Sequence, residues 1–147
     1  MWKLKPDERL TRWREFRKSL DDLTLLDAVQ STTEFWQACP YSPYYLDPSD
    51  PESWPTAWEL ISENYYCDLA KCLGMLYTIN FTAHGAGLCA EIRIYNDPDS
   101  GYTYNLAVLD NGKYVINFID NNIVNIESIN KNLKLIRCYD GAGLKLQ

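Results

Sequence analysis

Apolar residues recur at helical spacing through the first half of the chain and at alternating spacing through much of the second. Leu10, Trp13, Phe16 and Leu20 form one stripe, which predicts a helix opened by Pro6 and Asp7 and running to about Leu20. Arg9, Arg12, Arg14 and Lys18 lie mostly off that stripe. A second helix is expected from about Thr24 to Ala38, with Leu26, Val29 and Trp36 as core contacts, and Cys39-Pro40 ends it. Residues 40–55 hold five prolines among Ser and Asp, a composition that predicts a loop. Ser53 has the character of an N-cap, with Pro55 in the first turn of a short helix through Trp58, Leu60 and Ile61. A further helix is expected from Tyr66 to Thr78, carrying Leu69, Ala70, Leu73, Leu76 and Tyr77 inward.

From Leu88 the period changes to two. Leu88, Ala90, Ile92 and Ile94 alternate with Cys89, Glu91, Arg93 and Tyr95, a strand pattern. The cluster Asn-Asp-Pro-Asp-Ser-Gly at 96–101 is a turn, and Tyr102 to Asp110 is a second strand. Asn111-Gly112 predicts a tight hairpin into a third strand, Lys113 to Asp120. With a two-residue loop, Asn105 pairs with Phe118 and Thr103 with Asp120, so Asn105 and Asp120 become diagonal neighbours on one face. A helical turn near 126–130 and a last strand at 133–139 complete the pattern, and the Gly141-Ala-Gly tail is expected to fray. The fold class expected is α+β, with N-terminal helices packed on a mainly antiparallel sheet. One domain is expected over residues 1–147: a helical and aromatic-loop part at 1–65, then a helix plus sheet at 66–147.

Charge changes this picture in one respect. The chain is net −6, yet residues 1–18 carry seven cationic against three acidic side chains. That segment is +4 and the remainder −10. An acidic body repels nucleic acid, so no nucleic-acid partner is expected. No apolar run approaches a membrane span, and Met1-Trp-Lys-Leu-Lys-Pro lacks the apolar stretch of a signal peptide. The expectation is a protein kept in a reducing compartment, without secretion by a signal peptide.

Cysteine and histidine set the candidate chemistry. Five cysteines at irregular spacing, with no CxxC pair and His84 as the sole histidine, argue against a disulfide framework and against zinc. Asp47, Asp50 and Glu52 lie among prolines without the glycine of a calcium loop, and read as a solvated acidic loop. No metal and no cofactor is expected. Cys67 stands at the start of the predicted helix 66–78, where the helix dipole favours a thiolate. The competing reading of Cys67 is a buried structural thiol. Cys72 lies within the helix, where it gains little from the dipole and suits the core.

A helix opening on Cys, then a strand that carries the base, then a strand ending in an acid is a known arrangement. Here it is Cys67-Asp-Leu-Ala-Lys-Cys-Leu-Gly-Met followed by Asn105-Leu-Ala-Val-Leu-Asp-Asn-Gly-Lys-Tyr-Val-Ile-Asn-Phe-Ile-Asp120. Over about residues 55–120 the chain resembles the transglutaminase-like core, related to papain-type cysteine peptidases. The resemblance puts Cys67 at the nucleophile position and Asp120 at that of the orienting acid. Asn105 stands where the family has its histidine. An amide cannot take the thiol proton and return it, so the resemblance implies a scaffold without a working triad. His84, in the loop before the first strand, is the sole substitute base. Trp54-Pro-Thr-Ala-Trp-Glu-Leu-Ile and Tyr66-Cys-Asp-Leu-Ala-Lys also resemble small uncharacterised proteins of tailed bacteriophages. That likeness implies a viral protein, a virion or assembly component located in the particle or the host cytoplasm.

The first functional expectation is therefore a non-catalytic structural or protein-binding component, a pseudoenzyme with protein partners such as other virion components. Tyr41, Tyr44, Tyr45, Trp54 and Trp58 of the proline-stiffened loop are the expected partner-binding residues. The alternative is a cysteine peptidase, amide hydrolase or transglutaminase-like enzyme using Cys67 with His84, Asn105 and Asp120.

Overall fold

The structure, a computed structural model, describes residues 1–43 and 46–141. Helix α1 spans Pro6–Leu20, with proline in the first turn, where its missing N–H costs nothing. Trp13 and Leu20 are buried and Leu10 and Phe16 pack against the core. Arg9 is also buried, a departure from the expected solvent-side row. Its Nε donates to the Leu4 carbonyl at 2.9 Å and its Nη1 to that of Glu63 at 2.5 Å. The charge is thus spread over main-chain oxygens at the chain's start and just beyond the third helix.

Helix α2 spans Leu25–Gln37, and the Thr24 hydroxyl accepts the Asp27 N–H at its start. Val29 and Trp36 are buried as expected, whereas Leu26 is 49% exposed. The buried stripe runs through Ala28, Val29, Thr32, Thr33 and Trp36, which turns Leu25 inward and leaves Leu26 at its edge. The loop contains one turn of 3-10 helix, Pro51–Ser53. Helix α3 is Ala57–Ile61, and its N-cap is Thr56, not Ser53. Thr56 and Glu59 form a reciprocal capping box.

Helix α4, Asp68–Asn80, is apolar nearly all round and lies between the other helices and the sheet. Gly74 lets α2 come this close: a Cβ there would meet the Trp36 ring at 2.5 Å. One helical turn on, Thr78 accepts the indole N–H groups of both Trp13, at 3.0 Å, and Trp36, at 2.9 Å. Its own hydroxyl donates to the Gly74 carbonyl at 2.6 Å. Three helices therefore meet at one satisfied buried hydroxyl.

The strands are β1 (Ala90–Asn96), β2 (Thr103–Leu109), β3 (Tyr114–Ile119), β4 (Asn122–Val124) and β5 (Lys134–Asp140), with a short helix α5 (Ile126–Asn130) before the last. Their order is β4-β3-β2-β1-β5, with every pairing antiparallel. Ala90, Ile92, Ala107, Leu109 and Ile116 face α4, and Leu106, Val108 and Val115 face α5 through Ile129. The architecture is α+β.

The hairpin keeps the expected register near its turn but not its full length. Leu109 pairs with Tyr114, Val108 with Val115 and Ala107 with Ile116. The connection is Asp110–Lys113, with Asp110 and Asn111 left-handed, instead of a two-residue loop. Asn117 then adopts φ 70°, and the ladder with β2 stops at Ile116. The expected pairs Asn105 with Phe118 and Thr103 with Asp120 are therefore not made.

Candidate functional site

Cys67 is the N-cap of α4, in extended backbone, and its side chain makes no capping hydrogen bond. The Pro40 carbonyl accepts the Tyr66 N–H at 2.8 Å and the Tyr66 carbonyl accepts the Ser42 N–H at 3.1 Å. This parallel bridge, Tyr41 with Tyr66, ties the proline loop to the start of α4. The result is a cleft of about 550 Å³ whose walls include Tyr41, Leu46, Cys67, Tyr102 and Asn105. Cys67 is 5% exposed at its floor.

A smaller polar cavity of about 180 Å³ adjoins it and shares Asp68, Tyr102, Thr103 and Asn105 with it. Its back wall is a chain of hydrogen bonds. Lys71 Nζ donates to Gln37 Oε1 at 3.2 Å, and Gln37 Nε2 donates to Asn117 Oδ1 at 3.1 Å. Asn117 Nδ2 donates to the main-chain oxygens of Asp68 and Asn105, each at 2.9 Å. Lys71 also lies 5.4 Å from the Tyr41 ring. The left-handed turn at Asn117 swings its amide onto the first residue of α4, and asparagine tolerates that conformation better than most residues.

Asn105 lies on the α4 side of β2, and its Oδ1 is buried with no partner among the described residues. Asn105 also lines the cleft, and a buried acceptor without a partner calls for a physical explanation. The structure thus brings Cys67 and Asn105 to one cleft, and Asn105 and Asp120 to the adjoining cavity. Asp120 is exposed at that cavity's rim, and the residue that touches Asn105 is Asn117. Sequence reasoning missed Asn117 because an asparagine inside a strand pattern gives no sign that its backbone will turn left-handed.

His84 is not part of this site. It lies in a 3-10 turn, Ala83–Gly85, beyond the opposite end of α4, and its Nε2–H donates to the Leu20 carbonyl at 2.9 Å. Thirteen helical residues separate the two ends, about 20 Å at ~1.5 Å per residue. His84 cannot take the Cys67 proton across that length. Burial disfavours the thiolate at the other buried cysteines: it pushes Cys39 up to about 12 and raises Cys72 in the core. Among the described residues, no three or more His, Cys, Asp or Glu side chains gather as a metal site.

The expected aromatic partner surface is divided. Trp54 is 2% exposed, donates its Nε1–H to the Asp47 carbonyl at 2.7 Å and packs edge-on to Tyr139. It seals the loop to the body and is no docking residue. Tyr41, 53% exposed, flanks the cleft, whereas Trp58, 40% exposed, sits with Trp13 and Phe81 beside α1. Tyr44 and Tyr45 lie outside the described residues.

No protein-family model matches the chain, and no curated protein matches it by sequence. Among solved structures, calcium-bound LapG of Legionella pneumophila superposes with a TM-score of 0.73 over 98% of this chain and 81% of that one, at 13% identity. The likeness shows that this chain has a transglutaminase-like fold. Among the described residues, no helix is long and apolar enough to cross a membrane.

Proposed function

We infer that this protein is a peptide-binding module on a transglutaminase-like scaffold, its cysteine centre retained in position and stripped of its base. One observation carries the reading. Asn105 of β2 shares the cleft with Cys67, and its buried Oδ1 has no partner among the described residues. A cysteine hydrolase needs a group that accepts the thiol proton and delivers it to the leaving amine. An amide does neither, but it accepts a hydrogen bond from a main-chain N–H. The cleft's size suits a few residues of extended chain, with Tyr41 and Tyr102 as aromatic walls. A role in a tailed-phage particle, with other virion components as partners, rests on the resemblance of residues 54–61 and 66–71 alone.

A second reading keeps a specific observation: Cys67 caps a helix without spending its thiol on the cap, in the fold of a cysteine protease. On that reading Cys67 acts as a nucleophile with a base supplied from outside the described site. Alkylation by iodoacetamide at pH 7, mapped by mass spectrometry, separates the two. The binding reading expects Cys67 to label no faster than the exposed Cys89. Selective rapid labelling of Cys67 overturns it.

A further inference from the structure

A second constellation lies away from the cleft. Arg17 on α1 projects over three aromatic rings, its guanidinium carbon 4.3 Å from the Trp13 centroid, 5.3 Å from Phe81 and 5.7 Å from Trp58. Its Nε is buried and has no hydrogen-bond partner among the described residues. The nearest acid on its own helix end is Asp21, and Asp21 Oδ1 is already taken by the Ala83 N–H at 2.8 Å. One turn before it stands Arg14, exposed. Burial first, then Arg14, hold the Arg17 guanidinium below its usual range, with Asp21 pulling the other way. Two like charges thus face each other, and among the described residues no carboxylate forms an ion pair with Arg17, although Asp21 offsets part of the repulsion. Around them is a depression of about 380 Å³ lined by Leu10, Thr11, Arg14, Arg17 and Trp58.

We propose that this depression is a second binding site, which takes a carboxylate side chain flanked by an apolar one in an acidic segment of a partner protein. A guanidinium held over aromatic rings loses little freedom when it binds, and its planar fork matches a carboxylate in two parallel hydrogen bonds. Leu10 and Trp58 supply an apolar shelf beside the two cations, a lining that a bare inorganic anion leaves unused. The −10 charge on the rest of the chain opposes a nucleic acid, whereas a short acidic segment needs only the local +4 of residues 1–18. The site explains why the basic end of α1 and the exposed Trp58 sit together on a face remote from Cys67.

The test is titration of the full chain with acetyl-Glu-Leu-Glu-amide and with acetyl-Gln-Leu-Gln-amide, followed by NMR at the Trp58 indole N–H. The acidic peptide is expected to shift that signal at millimolar concentration and the amide peptide to bind at least about ten-fold more weakly, the usual scale for loss of a charge-assisted pair. Arg17→Gln is expected to abolish binding, and Arg14→Gln, a substitution at an exposed position that leaves the aromatic stack intact, to weaken it several-fold. Asn105→Leu, in the cleft, is expected to change nothing, so failure here is distinguishable from failure of the cleft reading. Equal binding of the two peptides, no effect of Arg14→Gln, or equal shifts from inorganic phosphate at the same concentration each overturn the proposal.

Discussion

The side-chain amide of Asn117 donates to the main-chain oxygen of Asn105 at 2.9 Å, and the same nitrogen reaches the main-chain oxygen of Asp68. One amide therefore ties β3 and β2 to the first turn of α4, beside Cys67. A triad needs an acid that orients an imidazole. Here an amide fastens backbone instead, and the wall of the cleft becomes a fixed structural feature.

The first prediction concerns that fastening. Asn117→Ala removes the hydrogen bonds and leaves a Cβ at φ 70°. We expect a loss of about 2–3 kcal/mol, from lost hydrogen bonds and left-handed strain together. Asn117→Gly relieves the strain but not the bonds, and is expected to cost about 1 kcal/mol less. Urea denaturation of the three proteins checks the order, and equal stability of Asn117→Ala and wild type contradicts it.

The second prediction concerns Gly74. Alanine is the better helix former by about 1 kcal/mol. Its methyl, however, falls 2.5 Å from atoms of the Trp36 ring, and overpacking costs about 1–3 kcal/mol. The clash wins because Trp36 is pinned by its bond to Thr78. Gly74→Ala is expected to lower Tm by about 5 °C, measured by calorimetry. An unchanged or raised Tm shows that the Trp36 ring does not lie against residue 74.

The third prediction is of a reactivity opposite to exposure. Cys138 is accessible, yet local desolvation, and then the Glu91 carboxylate that accepts its S–H at 2.6 Å, push its thiol up to about 11. A raised thiol pKa favours the protonated form, so the thiolate gains only as pH rises towards that value. At pH 8 about one thiol in a thousand is ionised. Cys138 is therefore expected to alkylate more slowly than Cys89 at pH 8 and to speed up several-fold in Glu91→Gln. The check is a timed labelling series read by peptide mass. A Cys138 rate untouched by Glu91→Gln contradicts the pairing.

The sequence made the fold legible where pattern and chemistry agree. The stripe Leu10, Trp13, Phe16, Leu20 and the alternation from Leu88 fixed the helix-then-sheet order, because burial enforces both periods. The Asn-Gly signal set the register of β2 and β3 near the turn, and parity survived even though the connection is longer. What could not be read was local departure from pattern. Asn117 breaks the ladder through its backbone conformation, which moves Asp120 to the rim. Trp54 became core through its indole bond to the Asp47 carbonyl, a tertiary contact. The N-cap moved from Ser53 to Thr56 because Glu59 completes a capping box only with Thr56. At the site, Cys67 at the helix start was legible from spacing, whereas the remoteness of His84 depended on where α4 ends and where the turn after it packs.

The central claim is that the cleft binds extended peptide without cutting it. The direct measurement is incubation of wild type and Cys67→Ala with an equimolar library of unstructured octapeptides, each sampled by mass spectrometry for both captured peptides and new termini. The account predicts overlapping captured sets for the two proteins, weakened by Asn105→Leu, and no new termini in either. New termini produced by wild type and absent with Cys67→Ala would contradict it and make Cys67 a working nucleophile.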